Sequence, residues 1–422
     1  MDNFDVIVIG AGASGMMAAG IAARLGAKVL LLEKMFRPGR KLRITGKGRC
    51  NLTNLSSIDE FLSHVGNEAD FLRPAFSKMF ANELISFFHS INVKTKIERG
   101  KRVFPQSEKA QDVVDGLTKW LQKSGVKTQN DARVNELIIE NNQVIGVKIQ
   151  NGTAFTSKSV ILCTGGSSYP ATGSTGDGYK LAKAAGHNIT TIHPALVPLN
   201  LQDKISPELN GLLLKNIKVS VYHNQKMIAE KFGDLQFLKH QISGPIILSL
   251  SREVGELLSN KTKLRFSIDL KPALSTIKLQ NRIQRELEAN PHLQLIGLLR
   301  KLLPVKLIAS FIIILKLSPT KLVASFQNSE IEKLILQLKD FSLTIKDLGD
   351  FEEAIITSGG VVLNEIDPNT MESKIIKRLY FAGELMNLDA DTGGYNLQIA
   401  FSTGFLAGIS AVKNNEYEGS ED

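Results

Sequence analysis

The chain has 422 residues, of which 43% are hydrophobic and 22% charged, and it carries a net charge of +9. This length is too great for one simple core, so we expect two or three domains of an ordinary globular protein. The two cysteines, Cys50 and Cys163, form neither a Cys-x-x-Cys pair nor a ligand cluster, which argues against a disulfide scaffold or a metal site and suits a reducing cytoplasm.

The apolar segments of the sequence do not predict a membrane or secreted protein. No charged segment precedes Val6, so the first apolar run is a strand and not a signal peptide. The longest other apolar run, residues 307–317, has about 11 residues and is too short to span a bilayer. We therefore expect a cytoplasmic protein that does not contact a membrane.

The positive charge has two interpretations. It is typical of proteins that bind nucleic acid or anionic lipid, and also of proteins with scattered lysines on solvated helices. Much of the lysine lies between residues 204 and 347, where it alternates with apolar residues in an amphipathic manner. This pattern favours solvated helix faces, so a small molecule is the expected partner and nucleic acid the less favoured one.

The stretch from Phe4 to Glu33 predicts a βαβ unit. Two apolar runs, residues 5–10 and 28–33, read as buried parallel strands, and between them lies an Ala- and Met-rich helical segment opened by Gly10-Ala11-Gly12-Ala13-Ser14-Gly15. The first glycine permits the turn, the second leaves room for a pyrophosphate, and the third allows close helix packing. Glu33, 18 residues after Gly15, is placed to accept hydrogen bonds from a ribose. We predict a dinucleotide site here.

A basic, glycine-rich segment follows. Residues 37–49 contain six Arg or Lys residues in 13 positions, which would be costly to bury in a core element. We predict a loop that wraps a polyanionic cofactor or substrate, and a solvated basic loop is the alternative. Cys50 lies in this loop and is a poor candidate for a redox nucleophile, because no second cysteine is near it in sequence.

The next part of the chain supplies further elements of the same α/β domain. Residues 58–90 read as helical with an aromatic core stripe, Ser107 as a helix cap, and residues 134–149 as a hairpin turning at Asn141-Asn142. Residues 159–166 predict a buried strand that contains Cys163 and ends in Thr164-Gly165-Gly166, at the sheet edge where such folds place ligands. Asp177 is a plausible N-cap of the helix that follows.

The pattern then changes and later returns. Residues 196–232 alternate as in strands, short segments continue to about 270, and residues 275–345 are predominantly helical, so this block reads as an insertion. The α/β character resumes with residues 354–362 and with a strand that ends in Phe381-Ala-Gly383-Glu384.

A helix that begins after two glycines near the end of the chain indicates which dinucleotide is bound. Thr392-Gly393-Gly394-Tyr395-Asn396 precedes an Ala- and Gly-rich helix whose N-terminal amides suit the N1/C2=O edge of a flavin, where negative charge develops on reduction. A nicotinamide-only Rossmann domain is contiguous, whereas here the chain returns about 350 residues later to complete the site. The pattern indicates an FAD site that is split between the two ends of the chain.

The joint occurrence of these motifs resembles the bacterial YhiN/BaiN-like flavoproteins, which are labelled NAD(P)/FAD-dependent or aminoacetone-oxidase-like oxidoreductases. The match runs through the whole chain in order and includes Gly-Ala-Gly-Ala-Ser-Gly, Gly-Lys-Gly-Arg-Cys-Asn-Leu-Thr-Asn, Arg-Val-Phe-Pro, Ala-Thr-Gly-Ser-Thr-Gly-Asp-Gly, Thr-Ser-Gly-Gly-Val, Thr-Met-Glu-Ser-Lys, and Phe-Ala-Gly-Glu with Thr-Gly-Gly-Tyr-Asn.

The resemblance implies FAD and an α/β fold with a Rossmann-like FAD-binding domain of the two-dinucleotide-binding flavoprotein type. That domain would comprise residues 1–195 and 350–422, with an inserted β-rich domain at 196–274 and a helical subdomain at 275–349. Together with the residue patterns, it gives these expected cofactor-binding residues: Gly10, Gly12, Ala13, Ser14, Gly15, Glu33, Lys34, Arg40, Lys41, Gly46, Gly48, Arg49, Cys50, Asn51, Val134, Thr164, Gly165, Gly166, Asp177, Gly383, Glu384, Gly393, Gly394, Tyr395 and Asn396.

One segment departs from the family pattern. The family usually has Phe-Thr-His-x-Gly-x-Ser-Gly-Pro in the inserted domain, whereas this chain has Lys239 in place of the histidine and His240 one position later. The role of that position is therefore in doubt here. Because members of the family are assigned activities from amine oxidation to reduction of unsaturated carbonyls, the resemblance does not fix the substrate.

The leading hypothesis is a FAD-dependent oxidoreductase that transfers hydride between a small organic substrate and flavin, reoxidised by oxygen or coupled to NAD(P)H. The alternatives are a tRNA-binding flavin-dependent modification enzyme and an NAD(P)-binding protein without flavin. No catalytic side chain is identifiable from sequence; the best candidates, Arg102, Tyr169 and Tyr395, lie in loops expected to face the ring.

Overall fold

The structure is a computed structural model that describes residues 3–66, 68–202 and 207–416. The chain forms two compact units, which divide between Pro194 and Ala195 and between Asp350 and Phe351. The first unit therefore contains both ends of the chain, and the second is a continuous segment between them.

Strands and helices are numbered in chain order. The strands are β1 (Asn3–Ile9), β2 (Val29–Leu32), β3 (Thr53–Asn54), β4 (Thr95–Glu98), β5 (Arg102–Pro105), β6 (Lys127–Gln129), β7 (Val134–Glu140), β8 (Gln143–Ile149), β9 (Ala154–Leu162), β10 (His193–Ala195), β11 (Leu199–Leu201), β12 (Leu213–His223), β13 (Lys226–Phe237), β14 (Gln241–Ser243), β15 (Arg265–Asp269), β16 (Phe341–Leu348), β17 (Ile356–Ser358) and β18 (Leu379–Phe381). The α-helices are α1 (Ala13–Arg24), α2 (Arg40–Gly48), α3 (Ile58–Leu62), α4 (Arg73–Lys78), α5 (Ala81–Ser90), α6 (Ala110–Lys123), α7 (Asp177–Ala184), α8 (Pro245–Glu253), α9 (Gly255–Ser259), α10 (Thr276–Ala289), α11 (Leu295–Leu302), α12 (Val305–Leu315), α13 (Asn328–Lys339) and α14 (Tyr395–Glu416).

A mixed sheet forms the centre of the first unit, in the order β6-β2-β1-β9-β8-β7, with β18 beside β9. Strands β6, β2, β1, β9 and β18 run parallel to one another, whereas β8 pairs antiparallel with both β9 and β7. The apolar runs of β1, β2 and the end of β9 are buried on both faces, as parallel strands covered by helices require. The predicted βαβ unit is confirmed, and so is the predicted hairpin, whose turn holds Asn141 and Asn142 at φ 50° and 59°.

Helix α14 packs on α1 with its backbone close to the backbone of α1. A Cβ atom at Gly404 would lie 2.4 Å from the carbonyl oxygen of Ser14, and one at Gly408 would lie 2.6 Å from that of Ala18. Each of these distances is far below van der Waals contact, so only glycine fits at these two positions. The last helix of the chain is thereby held against the first, and the two predicted halves of the site are brought together.

We expect Gly404→Ala to destabilise the protein by about 1–2 kcal/mol, because overpacking of this kind costs about 1–3 kcal/mol. In a helix interior without such a contact, the same change stabilises by about 0.5–1 kcal/mol, so the sign of the effect is informative. Urea denaturation followed by circular dichroism measures it. An unchanged or higher free energy of unfolding would contradict the close packing of α1 and α14.

The predicted helical character of residues 58–90 is confirmed, but it is divided among the short helices α3, α4 and α5. Ser57 caps α3, Pro74 lies in the first turn of α4, and Met79 and Phe80 are extended before α5 begins. Proline is unfavourable inside a helix, and Pro74 therefore coincides with a new helix start. The predicted aromatic core is confirmed, since Phe76 and Phe88 are buried, and the Phe61 ring packs edge-on against that of Phe76 at 5.0 Å.

The second unit contains a closed barrel in the order β11-β14-β13-β12-β15-β16, together with helices α8–α13. The expected strands are present, but residues 341–348 are not helical as predicted: they form β16, which pairs with β11 and β15. Lys239 and His240 lie exposed in the turn between β13 and β14. Among the described residues, no helix is both long and apolar enough to cross a membrane.

Candidate functional site

The carboxyl ends of four parallel strands meet at one edge of the central sheet. The amide of Gly10 donates to Leu32 O (2.8 Å), that of Cys163 to Ile9 O (2.9 Å), and that of Ala382 to Leu162 O (3.0 Å). The residues that follow each strand are therefore neighbours at this edge: Gly10, Glu33, Thr164–Gly166 and Gly383–Glu384. Ligands bind at this edge in open α/β sheets.

The glycine-rich turn after β1 is shaped to receive an anion. Gly10 has φ +98°, and a Cβ at Gly15 would lie 1.8 Å from Gly10 O, whereas a Cβ at Gly12 would meet no protein atom within 4 Å. Gly12 caps α1 without a side-chain hydrogen bond, and the first turn of α1 contains no acidic residue. The amides and the positive dipole end of α1 are thus accessible to a pyrophosphate, and the turn fits the dinucleotide prediction.

Glu33 lies at the end of β2 with its carboxylate directed back at the turn. Its two oxygens accept hydrogen bonds from the amides of Ala11 (2.9 Å) and Met35 (2.9 Å). Burial raises the pKa of the Glu33 carboxyl above its usual value, although these two amides oppose the shift. A carboxylate held in this way keeps lone pairs available for a ribose hydroxyl.

A cavity of about 670 Å³ is lined by Lys34 and Met35, the two residues that follow Glu33, and its size is usual for a small-molecule site. Its lining comes from the ends of strands and from the segment before α7. The lining residues are Lys34, Met35, Asp131, Arg133, Ile149, Gln150, Asn151, Pro170, Gly173 and Thr175. Val134, an expected cofactor residue, is buried at the start of β7, next to Arg133.

Asp177 crosslinks the wall of this cavity and is not a helix cap, contrary to the prediction. Gly176, at φ 73°, occupies the cap position, and Asp177 is the first residue of α7. Its carboxylate accepts hydrogen bonds from Lys34 Nζ (2.8 Å) and Arg133 Nη2 (2.6 Å). Burial alone would raise the pKa of Asp177, but these two cations hold it below its usual value.

We expect Asp177→Asn to lower the free energy of unfolding by about 1–2 kcal/mol at neutral pH, because it leaves Lys34 and Arg133 without their shared anion at a partly exposed site. A lowered carboxyl pKa stabilises the folded state above the pKa of an ordinary aspartate and ceases to do so as pH falls through the lowered value. The difference between wild type and variant should therefore shrink below about pH 4 in urea denaturation. A difference independent of pH would contradict the ion pairs as its cause.

The basic segment is helical from Arg40 to Ile44, so the predicted loop is wrong for that part. Residues 40–48 form α2, interrupted where Thr45, Gly46 and Lys47 leave helical geometry. Several of its cations contact protein groups: Lys41 pairs with Glu384 (2.8 Å), Arg49 pairs with Glu98 (2.5 Å), and Arg43 donates to Gln111. Glycine in the left-handed region, at Gly46 (φ 56°) and Gly48 (φ 82°), allows the helix to break and turn.

Both cysteines are buried thiols. Burial raises the pKa of Cys50 and of Cys163 to about 12. Because the thiolate is the reactive form, neither is suited to act as a redox nucleophile. Cys50 follows α2 at φ 61°, and its amide donates to Thr45 O (3.0 Å) at the break in that helix, whereas Cys163 packs under Gly15.

Glu384 is fixed after β18 by a network of polar groups. One carboxylate oxygen accepts from the amide of Thr357 (2.7 Å), and the other pairs with Lys41 Nζ (2.8 Å). Lys41 Nζ also donates to Ser168 Oγ (2.6 Å). Two predicted site residues that are 343 positions apart are thus in direct contact. The expected contact of Glu384 with the ribityl chain stays a prediction.

The start of α14 is a tight, glycine-dependent turn. Gly393 and Gly394 have φ 138° and 102°, and a Cβ at Gly394 would lie 2.4 Å from Thr53 O. The side chain of Asn396 donates to Ala390 O (2.8 Å) and accepts from Ala390 N (3.0 Å), which fixes the turn. The expected contact between the amides of this helix start and a flavin edge stays a prediction.

A histidine that sequence reasoning missed lies beside Tyr395. The ring of His64 stacks on that of Tyr395 at 4.5 Å, and its Nδ1 is 3.0 Å from Asp391 Oδ2. Asp391 could have been noticed because it immediately precedes the Thr392-Gly393-Gly394 turn, but nothing in the sequence marks His64. The two other catalytic candidates lie elsewhere: Arg102 is exposed and donates to Arg99 O, and Tyr169 adopts φ 52° before Pro170.

Comparisons with known proteins agree on one family. The family model described as HI0933-like protein Rossmann domain matches residues 4–410. A 3-dehydro-bile acid delta(4,6)-reductase from Clostridium scindens is 32% identical over 409 residues, which cover 96% of this chain and 98% of that protein. A ribosomal RNA dihydrouridine synthase from Escherichia coli is 28% identical over 96% of each chain. A solved structure of E. coli quinol fumarate reductase shares the fold, with a TM-score of 0.52 at 15% identity, over 100% of this chain and 72% of that one.

Proposed function

Because the chain belongs to the HI0933-like family and is a FAD-dependent oxidoreductase, we propose that it is a reductase which saturates a carbon–carbon double bond conjugated with a carbonyl group. This proposal selects reduction over amine oxidation. It also narrows the substrate from any small organic molecule to an electron-poor alkene.

The observation that carries the proposal is that two relatives with different names are named for reducing the same type of bond. The bile acid reductase is named for double bonds that extend from a 3-oxo group, and the dihydrouridine synthase is named for saturating a uracil ring, whose double bond is conjugated with a carbonyl. Both bonds accept hydride at the carbon remote from the carbonyl and a proton at the adjacent carbon. One site chemistry therefore serves both substrates.

Each part of FAD would be held by a different element at the sheet edge. The amides of α1 would bind the pyrophosphate, Glu33 the adenosine ribose, Glu384 the ribityl chain, and the start of α14 the flavin edge. When bound, FAD supplies the hydride. The remaining expected residues of α2 and of the Thr164–Gly166 turn would line the cofactor.

Tyr395 is the proton donor that we assign for the adjacent carbon. Burial raises the pKa of the Tyr395 phenol above its usual value, and the nearby Glu60 and Asp391 carboxylates act in the same direction. The hydroxyl is therefore protonated at neutral pH, and its assignment as proton donor rests on its position at the start of α14, where the flavin edge is proposed. Stacking on His64 and the edge-on packing of Phe61 at 4.7 Å hold the ring in place.

Anaerobic half-reactions test the proposal. The oxidised holoenzyme is mixed with NADH, with NADPH and with small amines, and flavin absorbance is followed. We expect a nicotinamide to bleach the flavin, and a fused-ring dienone or a uridine-containing RNA to restore its colour faster than air does. Bleaching by an amine, with peroxide formed on admission of oxygen, would show an oxidase and overturn the proposal.

A further inference from the structure

We propose that the hydroxyl group of Tyr179 donates a hydrogen bond to the ribityl chain of FAD. Tyr179 is the third residue of α7, and no motif in the sequence marks it as a cofactor-binding residue. The proposal rests on FAD as the cofactor and on the role assigned to Glu384. It does not depend on which substrate the enzyme reduces.

The Tyr179 hydroxyl is a buried polar group without a protein partner. The residue is 8% exposed, and within the part of the chain that the structure describes its hydroxyl oxygen is inaccessible and forms no hydrogen bond. Buried polar groups are almost always hydrogen-bonded, because an unsatisfied group loses its contacts with water and gains none in return. A phenylalanine would fill nearly the same volume without this cost. Packing alone therefore does not account for a tyrosine at this position.

The ring of Tyr179 lies among residues of the sheet edge. A Cβ atom at Gly176 would lie 3.2 Å from Tyr179 Cδ2 and 2.9 Å from Ser167 Oγ. A Cβ atom at Gly178 would lie 1.9 Å from Thr164 Oγ1. Because Thr164 and Ser167 belong to the segment that follows β9, the first turn of α7 is held against the edge where the cofactor is expected.

The Glu384 carboxylate acts on Tyr179 electrostatically but forms no hydrogen bond with its hydroxyl. Burial raises the pKa of the Tyr179 phenol above its usual value, and the charge of Glu384 acts in the same direction. The carboxylate oxygens instead accept from Lys41 Nζ, Ser168 Oγ and Thr357 N. The phenol therefore stays protonated and is available as a donor near the carboxylate that is assigned to the ribityl chain.

A ribityl chain has the chemistry that this position requires. Its hydroxyl groups are neutral and can both donate and accept, so the chain can donate to the Glu384 carboxylate and accept from the Tyr179 phenol. A phosphate oxygen could also accept from the phenol, but it has no proton to donate to Glu384, and the two negative charges would repel each other. The ribityl chain is therefore the part of FAD that we assign to Tyr179.

Tyr179→Phe tests the proposal, because it removes the hydroxyl and keeps the ring. We expect the full-length apoprotein of this variant to bind FAD about 3–10-fold more weakly than wild type, the usual range for one hydrogen bond. ADP contains the adenosine and two phosphates but no ribityl chain, so it should bind both proteins equally. Isothermal titration measures both affinities. Urea denaturation of the apoproteins should give a higher midpoint for the variant, which no longer buries an unpartnered hydroxyl.

Tyr380→Phe is the matched control. Tyr380 is a fully buried tyrosine of β18 whose hydroxyl donates to Ser410 O (3.5 Å), and no part of the cofactor is assigned to it. The substitution removes a hydrogen bond within the protein, so the urea midpoint should fall. FAD affinity should stay within about twofold of wild type, less than the loss of one hydrogen bond to the cofactor would cause.

Unchanged FAD affinity in Tyr179→Phe would overturn the proposal. A lower urea midpoint in this variant would also overturn it, because the hydroxyl would then stabilise the protein through another partner. Equal weakening of FAD and ADP binding would place the contact on the diphosphate and contradict the ribityl assignment. None of these measurements involves turnover, so their outcome is independent of the half-reactions that test the proposed reductase.

Discussion

Gly12→Val is expected to give a folded protein that retains at least 100-fold less FAD than wild type, a loss of about 2.7 kcal/mol in binding free energy. The added side chain meets no protein atom near its Cβ, and Gly12 already has the extended backbone (φ −85°, ψ −165°) that valine tolerates. The apo fold should lose no more than about 1 kcal/mol, the usual scale of a change at a helix cap. The side chain would nevertheless occupy the approach to the amides of α1, where the pyrophosphate is expected.

Gly15→Val is the matched comparison. Its Cβ would lie 1.8 Å from Gly10 O, so this variant should lose fold stability as well as FAD. Flavin absorbance after desalting measures retention, isothermal titration of apoprotein measures affinity, and urea denaturation measures stability. Normal FAD affinity in folded Gly12→Val would contradict the placement of the pyrophosphate at this turn.

The contrast between these two glycines shows what the sequence could predict. The spacing of Gly10, Gly12 and Gly15 between two apolar runs is local, and local patterns of this kind define a βαβ unit without knowledge of the rest of the fold. The strand ending at Phe381 was recognisable in the same way, by an apolar run and a Gly-Glu ending. The FAD-type Rossmann fold, the cofactor and the oxidoreductase class are confirmed by the family match, and the alternative of a nicotinamide protein without flavin is not supported.

The predictions that failed depended on contacts between distant parts of the chain. The basic segment reads as a loop because six cations are costly to bury, but Lys41 meets Glu384 and Arg49 meets Glu98, and these partners make a helix acceptable. Asp177 has the residue type of a cap, yet Lys34 and Arg133 engage its carboxylate. Residues 341–348 end a helical stretch but become a strand because the barrel supplies pairing partners on both sides. None of these partners is adjacent in sequence.

The roles of the individual site residues stay predictions. The structure brings Gly12, Glu33 and Glu384 to one sheet edge, and this proximity supports a shared ligand. The boundaries expected at 195/196 and 349/350 lie within one residue of the division between the two compact units. The assignment of FAD binding to the first unit is likewise a prediction, which the FAD-binding measurements address.

Glu33→Gln is expected to weaken FAD binding by about 10–100-fold and to leave substrate preference unchanged, because Glu33 is assigned to the adenosine ribose and not to the reacting ring. The wild-type carboxylate accepts from both Ala11 N and Met35 N. A glutamine has one acceptor oxygen and presents an NH₂ group to the other amide, so one of the two donors loses its acceptor. The apo fold should therefore lose about 1–2 kcal/mol as well.

The pH dependence of FAD affinity separates the ribose contact from this structural loss. A ribose hydroxyl donates to the ionised carboxylate, so FAD binding favours ionisation, and protonation of Glu33 opposes binding. Because burial raises the pKa of Glu33, wild-type affinity should begin to fall at a higher pH than an ordinary glutamate would allow, and should keep falling as the solution is acidified.

The glutamine of Glu33→Gln cannot ionise, so the fall in FAD affinity at low pH should be absent from this variant. The control Glu140→Gln, at an exposed position, should show the same fall as wild type. Fluorescence titration of apoprotein with FAD between about pH 4.5 and 8 spans the range in which a raised glutamate titrates. If Glu33→Gln lost FAD affinity on acidification as much as wild type does, another group would be the cause of that loss. Glu33 would then support the turn at Ala11 without contacting the ribose.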